Sequence, residues 1–267
     1  MEKLQVTNDY VFKKIFAKEG NENILKNLLI SILEIPIEKI EVERDKHLEK
    51  VAIENKEGIL DIKATLNNNV TVNIEMQVRN QYNMIDRSLY YWSKLYSSSL
   101  KTKNDYAENN KTIAINILMF NIFEDGPYHE KCMIRRNYNG NILTEDFEMH
   151  FIQIPKFKED KVKTKLDVWV KFIGNTEMGE EDMYVLDEET KKALREAQKQ
   201  YDDLNADPEV RRVAELRMKA IMDNVTNMKG ALKEQRLEIA KKLKEMKIAI
   251  EDIEKATGLS KEEIEKL

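Results

Sequence analysis

From Gly58 to Arg79 the chain reads G-I-L-D-I-K-A-T-L-N-N-N-V-T-V-N-I-E-M-Q-V-R. Two apolar, β-branched runs with period-two alternation flank three asparagines. Such alternation predicts strands, and asparagine tolerates the left-handed backbone of a tight turn, so the stretch predicts a hairpin. Leu60, Ile62, Ala64 and Leu66 share one face of the first strand, and Ile59, Asp61, Lys63 and Thr65 the other. On the second strand Val72, Ile74, Met76 and Val78 share a face, opposite Thr71, Asn73, Glu75, Gln77 and Arg79. One side of the hairpin is suited to a core. The other gathers two acids, a lysine and an amide.

The pattern around the hairpin predicts the remaining elements. A short helix falls between Thr7 and Gly20, with Phe12, Ile15 and Phe16 on one side. Apolar residues at helical spacing predict a second helix over Asn23 to Leu33, stopped by Pro36. Ile40 to Lys46 alternates as a strand. Gln81 to Leu100 reads as a helix burying Met84, Leu89, Trp92, Leu95 and Tyr96. Thr112 to Phe123 is nearly continuous apolar, a strand buried on both faces. His129 to Tyr138 and Phe147 to Ile154 predict two more strands around an Asn139-Gly140-Asn141 turn, and Leu166 to Ile173 a covering helix. Gly174 to Glu181 is a polar connector. Beyond it the pattern is helical to the end, with Ile239, Leu243, Met246, Ile250 and Ile253 stepping like a coiled-coil seam. The expectation is an α/β (α+β) fold in two parts: a core over residues 1–175 and a helical region over 176–267.

Composition narrows the class. The 267 residues are 42% hydrophobic and 35% charged, a globular balance with a heavily charged surface. A net charge of −5 gives no global field toward nucleic acid or membrane, so a DNA contact needs a local basic patch. A single cysteine, Cys132, excludes an internal disulfide and a cysteine-rich zinc site. It suits a reducing cytosol and is expected to be a buried thiol. The first residues lack the apolar segment of a signal peptide, and no apolar run is long enough to span a bilayer. A cytoplasmic protein that meets no membrane is expected.

The hairpin's polar side is the candidate centre. Residues on adjacent strands with the same facing have Cβ atoms roughly 5–8 Å apart, so one hard cation could bridge Asp61 and Glu75. Gln77 would point at the same place. Its amide can orient water or donate to a phosphate oxygen, but it carries no charge. Taken alone, the same alternation also describes an ordinary solvated sheet face.

D-I-K-A followed by N-I-E-M-Q, inside a helix–strand–hairpin–helix–strand order, resembles the PD-(D/E)XK nuclease superfamily. Within it the chain is similar to the Rpn family of recombination-promoting nucleases, also described as transposases. Further matching segments are N-D-Y-V-F-K-K-I-F from Asn8, I-D-R-S-L-Y-Y-W-S-K-L-Y from Ile85, Asp105-Tyr106, F-I-Q-I-P-K-F from Phe151 and A-T-G-L-S-K-E-E-I near the end. The resemblance implies a restriction-endonuclease-like core, an α-β-β-β-α-β mixed sheet flanked by helices. It also implies cleavage of DNA phosphodiester bonds with Mg²⁺, or with Mn²⁺ or Ca²⁺ as alternatives. Asp61 takes the motif aspartate's place and Glu75 the (D/E) place, both as metal ligands. Gln77 stands where the superfamily usually has lysine, and Leu60 where it has proline. Lys63, on the Asp61 face, either supplies the missing positive charge or is a solvated lysine. Asp9 either brings another acid toward the site or caps a helix. Arg87 is the candidate phosphate contact on the helix that follows; Arg135 and Arg136 are lesser ones.

His47, His129 and His150 lack metal-ligand spacing and are expected to be incidental. The C-terminal A-T-G-L-S-K-E-E-I is similar to the turn of a helix-turn-helix. Glu262, Glu263 and Glu265 there would oppose a phosphate-lined groove, so these helices are expected to assemble homo-oligomers or to regulate. Two functions remain in view: a metal-dependent DNA endonuclease, and a catalytically weak nuclease fold that binds nucleic acid or a partner.

Overall fold

The computed structural model describes residues 3–43, 61–67, 69–80, 82–100, 110–158 and 162–267. They form two compact units, 1–217 and 218–267.

Helix α1 (Asp9–Phe16) starts on Asn8, whose side chain accepts from the backbone N–H groups of Tyr10 and Val11. Asn8, not Asp9, is the cap; Asp9 lies in the first turn, where a negative charge suits the helix dipole. Helix α2 (Glu22–Leu33) ends at Glu34, which takes a left-handed φ of 55° ahead of Pro36. Strand β1 covers Ile40–Val42, Glu43 follows outside it, and residues 44–46 of the predicted run, with His47, lie outside the described residues.

The hairpin is present as β2 (Ile62–Leu66) and β3 (Val70–Gln77). Its residues 58–60 lie outside the described part. Asn67 has φ 50° at the turn, as asparagine there predicts. Its side chain accepts from the N–H groups of Glu38 and Lys39 and donates to the Pro36 carbonyl. The turn is thereby tied to the segment leading into β1.

Helix α3 (Met84–Leu100) leads to β4 (Lys111–Leu118), β5 (His129–Cys132) and β6 (Phe147–Gln153). The strands form one six-stranded sheet in the order β1-β2-β3-β4-β6-β5. β3, β4 and β6 are mutually parallel; the β1–β2, β2–β3 and β5–β6 pairs are antiparallel. Strand β4 ends five residues earlier than its apolar run, and Phe120, Ile122 and Phe123 turn to pack beside Phe151 and Leu118. A long apolar run cannot by itself mark where backbone pairing stops.

One sheet face carries the main core. Ile62, Ile74, Ile115 and Ile152 pack there with α1, α2, α4 (Lys165–Ile173) and α5 (Glu188–Ala206). Val210, Val213 and Ala214, at the start of α6 (Pro208–Glu245), close the same core. Trp169 and Tyr201 lie within it, and Thr164 and Asp167 form a capping box at the start of α4. Each fully buried aliphatic or phenylalanine side chain of this core contributes about 1.5–3 kcal/mol.

The opposite face has a smaller cluster of Met84, Ala114, Leu118, Phe147, Met149 and Phe151. Trp92 packs on Phe147 and donates its indole N–H to the Thr112 carbonyl. The expected buried side of α3 is only partly so: Met84 and Ser88 are buried, while Leu89 is exposed. The buried stripe runs through the small Ser88 because its hydroxyl is needed on the strand beneath it.

In the second unit Ala240, Ile253, Leu259 and Ile264 make a core with Leu237, Leu243 and Ile250. The chain breaks after α6 and returns as α7 (Ile250–Thr257) and α8 (Lys261–Glu265), turning at Gly258 with φ 68°. The continuous seam expected from Ile239 to Ile253 is therefore folded back on itself. Ile250 and Ile253 face the end of their own chain, and Ile239 and Met246 are exposed.

Candidate active site

The polar side of the hairpin is buried. Asn73, Glu75 and Gln77 are 6%, 3% and 7% exposed. The antiparallel register Ile62↔Ile74 and Lys63↔Asn73 places Asp61 across from Glu75, one pair beyond the described ladder. On the parallel side Glu75 is level with Asn116. Asn116 is buried, accepts the Ser88 hydroxyl at 2.9 Å and donates to the His150 carbonyl at 3.2 Å. A polar layer thus crosses from β2 to β6 beneath the start of α3.

Glu75 is its centre. Asn73 Nδ2 donates to Oε1 at 3.3 Å, and Gln77 Nε2 to Oε2 at 3.5 Å. Arg87 Nε stands 4.0 Å from Oε2. The Arg87 guanidinium also lies 5.3 Å over the Tyr91 ring. Burial raises the Glu75 pKa, Arg87 pulls it down, and the Asp61 charge pushes it up again. The hydrogen bonds from Gln77 and Asn73 favour the carboxylate but do not offset burial.

The predicted residues fall as follows. Asp61, Glu75, Gln77 and Arg87 come together, and Arg87 reaches the site itself. Lys63 is half-buried, paired in register with Asn73. Asp9 is engaged elsewhere: Arg217 Nε donates to Oδ1 at 3.2 Å and Nη2 to Oδ2. Asn73, on the predicted polar face, belongs to the layer with two residues that the pattern does not point to, Asn116 and Ser88. The sequence does show Asn116 as the one amide in the apolar run 111–118.

The donor set suits a hard divalent cation. Two carboxylates that repel in a dry setting are relieved by a cation, and Asn73 Oδ1 is buried with no hydrogen-bond partner among the described residues. Among the described residues, no group of three or more His, Cys, Asp or Glu gathers as a metal cluster. The residues that could hold such an ion are the two acids, a number of protein ligands usual for Mg²⁺ completed by water and phosphate.

A second polar cluster lies on the main-core side of the sheet. His150 Nε2 and Glu148 Oε1 are 2.7 Å apart, and His129 Nε2 and His150 Nδ1 2.8 Å. Lys111 and Lys131 reach Glu148 at 2.6 and 3.0 Å. Burial opposes charge on Glu148, but the bonds from His150, Lys111 and Lys131 outweigh it and hold the pKa at about 2. His129 and His150 are thereby joined to Glu148 in one hydrogen-bonded cluster. E-x-H on one strand face was visible in the sequence; the partnership with His129 needed the β5–β6 pairing. Cys132 is half-buried rather than buried, and burial raises its pKa.

A six-stranded mixed sheet flanked by helices, with the D…E-x-Q element on its central hairpin, defines a PD-(D/E)XK fold. A family model described as PD-(D/E)XK nuclease family transposase matches residues 6–231. The chain belongs to that family. No curated protein and no solved structure gave a significant match. No helix among the described residues is long and apolar enough to cross a membrane.

Proposed function

We propose that the chain is a metal-dependent DNA endonuclease that hydrolyses phosphodiester bonds, serving recombination, transposition or defence against mobile DNA in the cytoplasm. The observation that carries this is Glu75: a buried carboxylate, placed across from a second acid, in a family of nucleases. Asp61 and Glu75 would hold Mg²⁺, with Mn²⁺ or Ca²⁺ as substitutes. A bound ion there would polarise the scissile phosphate and lower the pKa of the attacking water. Gln77 orients that water through its amide. Arg87 balances the carboxylates and meets a phosphate oxygen when DNA arrives. Lys63 adds positive charge from the neighbouring strand. Asp9, bound to Arg217, positions α1 rather than touching substrate.

The test is nicking of supercoiled plasmid by native protein, Asp61→Asn and Glu75→Gln. Loss of one metal carboxylate is expected to lower the rate by about 10²-fold or more, and EDTA to abolish it. Native rates from both variants would sink the mechanism.

One observation favours a second reading, a nuclease fold that binds DNA or a partner without efficient cleavage. Gln77 and Arg87 already engage Glu75, and neither replaces the lysine expected at position 77. Calorimetry separates the readings: Asp61-dependent binding of Mg²⁺ or Mn²⁺ supports the enzyme. The C-terminal helices we assign to self-assembly or regulation.

A further inference from the structure

Residues 133–143 leave the edge of the sheet as a two-stranded arm. Arg135 bridges Ile142 in antiparallel register. The Leu143 N–H donates to the Ile134 carbonyl at 2.9 Å, and the Arg136 N–H to the Asn141 carbonyl at 2.8 Å. Gly140, with φ 71°, makes the turn, and Arg135 Nη1 donates to its carbonyl at 2.9 Å. Every residue from Ile134 to Leu143 is exposed. Leu143 is 63% exposed and Tyr138 92%.

A two-stranded ribbon standing in water is marginally stable by itself, and exposed aliphatic residues add nothing to it. Their presence on a protruding arm marks a contact surface. Its charge identifies the partner. The arm itself, residues 133–143, carries Arg135 and Arg136 and no acid, although the whole molecule has a net charge of −5. A polyanion fits that local reversal. An arm-to-arm contact between two copies would bring the same cations together.

The arm also faces the right way. Cys132 pairs with Met149, which is level with Ala114 and Asn73, so all four share the Glu75 side of the sheet. Two-residue alternation carries Ile134 and Arg136 to that side, with their cross-strand neighbours Leu143 and Asn141. An aliphatic pair beside an arginine and an asparagine is a side-chain set suited to a minor groove. β5 stands three strands from β3, about 14 Å at strand spacing, or roughly four base pairs.

We propose that this arm grips duplex DNA beside the cut position, with Arg136 on a phosphate, Ile134 and Leu143 toward the minor groove, and Arg135 holding the turn through the Gly140 carbonyl. The proposal rests on the nuclease reading above. It is tested by fluorescence anisotropy of the full chain with a labelled duplex of about 30 base pairs, in EDTA, across a salt series. Arg135→Ala/Arg136→Ala is expected to weaken binding roughly tenfold and to reduce the salt slope by about 1, with the native unfolding temperature. Ile134→Ser/Leu143→Ser is expected to weaken binding with the slope kept. If native protein binds and cuts DNA but the double arginine variant matches its affinity and slope, the arm proposal alone fails. If native protein binds no duplex, the nuclease reading fails and the arm with it. If the Ile134→Ser/Leu143→Ser variant turns a dimer into a monomer by light scattering and leaves DNA affinity unchanged, the arm is a self-association surface and the proposal is overturned.

Discussion

Arg87 brings its guanidinium to 4.0 Å from the Glu75 carboxylate, from a helix that begins seven residues after the end of β3. The pairing draws the Glu75 pKa down against the burial that raises it. Arg87→Met removes that pull, so the Glu75 pKa rises further. The acidic limb of the pH–rate profile for cleavage is expected to move to higher pH, with a rate loss of roughly tenfold on that limb and a smaller one on the alkaline side. A uniform loss at every pH would mean that Arg87 acts on substrate alone.

Glu75 is also a stability liability. With its folded pKa raised, the native carboxyl keeps its proton where the unfolded chain has lost it. The group favours folding below the ordinary carboxylate range and costs stability as pH rises through the folded value. Glu75→Gln is therefore expected to raise the unfolding temperature by a few degrees at pH 7, and by little near pH 4. Mg²⁺ or Mn²⁺ should raise the native unfolding temperature, with EDTA reversing it, and leave Glu75→Gln unmoved. A variant less stable than native at pH 7 contradicts this.

The Glu148–His150–His129 cluster has the opposite sign. Burial, with the nearby His150 and Lys131, holds the His129 pKa at about 4. Stability from a neutral His129 is present above its ordinary 6.5 and lost as pH falls to about 4. Glu148 contributes stability above 4.5 that is lost on the way to about 2. Urea midpoints should fall in two stages on acidification, and His129→Gln should erase the upper one. Glu148→Gln leaves Lys111, Lys131 and His150 around a neutral amide, and a loss of about 3 kcal/mol at pH 7 is expected from chemical denaturation.

Asp9 and Arg217 lie 208 positions apart in sequence and form a buried ion pair. Arg217→Met strands the carboxylate in the core of the first unit, and about 3–5 kcal/mol should be lost. Asp9→Asn added to it should recover much of that, with a coupling of at least 1 kcal/mol. Strictly additive losses would show that the pair is not acting as a pair.

Legibility followed the range of the interaction. The hairpin could be read because alternation and an asparagine turn are local, and Asp61, Glu75 and Gln77 fell on one face from strand parity alone. Leu89 could not be placed: its spacing fits a buried stripe, and only the sheet beneath α3 shows that Ser88 takes that position to reach Asn116. The C-terminal seam failed for a similar reason. Ile250 and Ile253 keep helical spacing with Leu243, yet the chain breaks between them and satisfies the apolar face internally.

By itself the sequence determined the identity of the acids, their shared strand face and the family, because side-chain period and motif order are properties of the chain. The tertiary structure decided whether that face is wet or dry. Sheet pairing brought Asn116 level with Glu75, and α3 set Arg87 over it. Their desolvation and charge turn a row of polar residues into a centre with a shifted pKa. Asp9 meeting Arg217, and His129 meeting Glu148 through His150, depend on packing between distant segments, which no local pattern encodes.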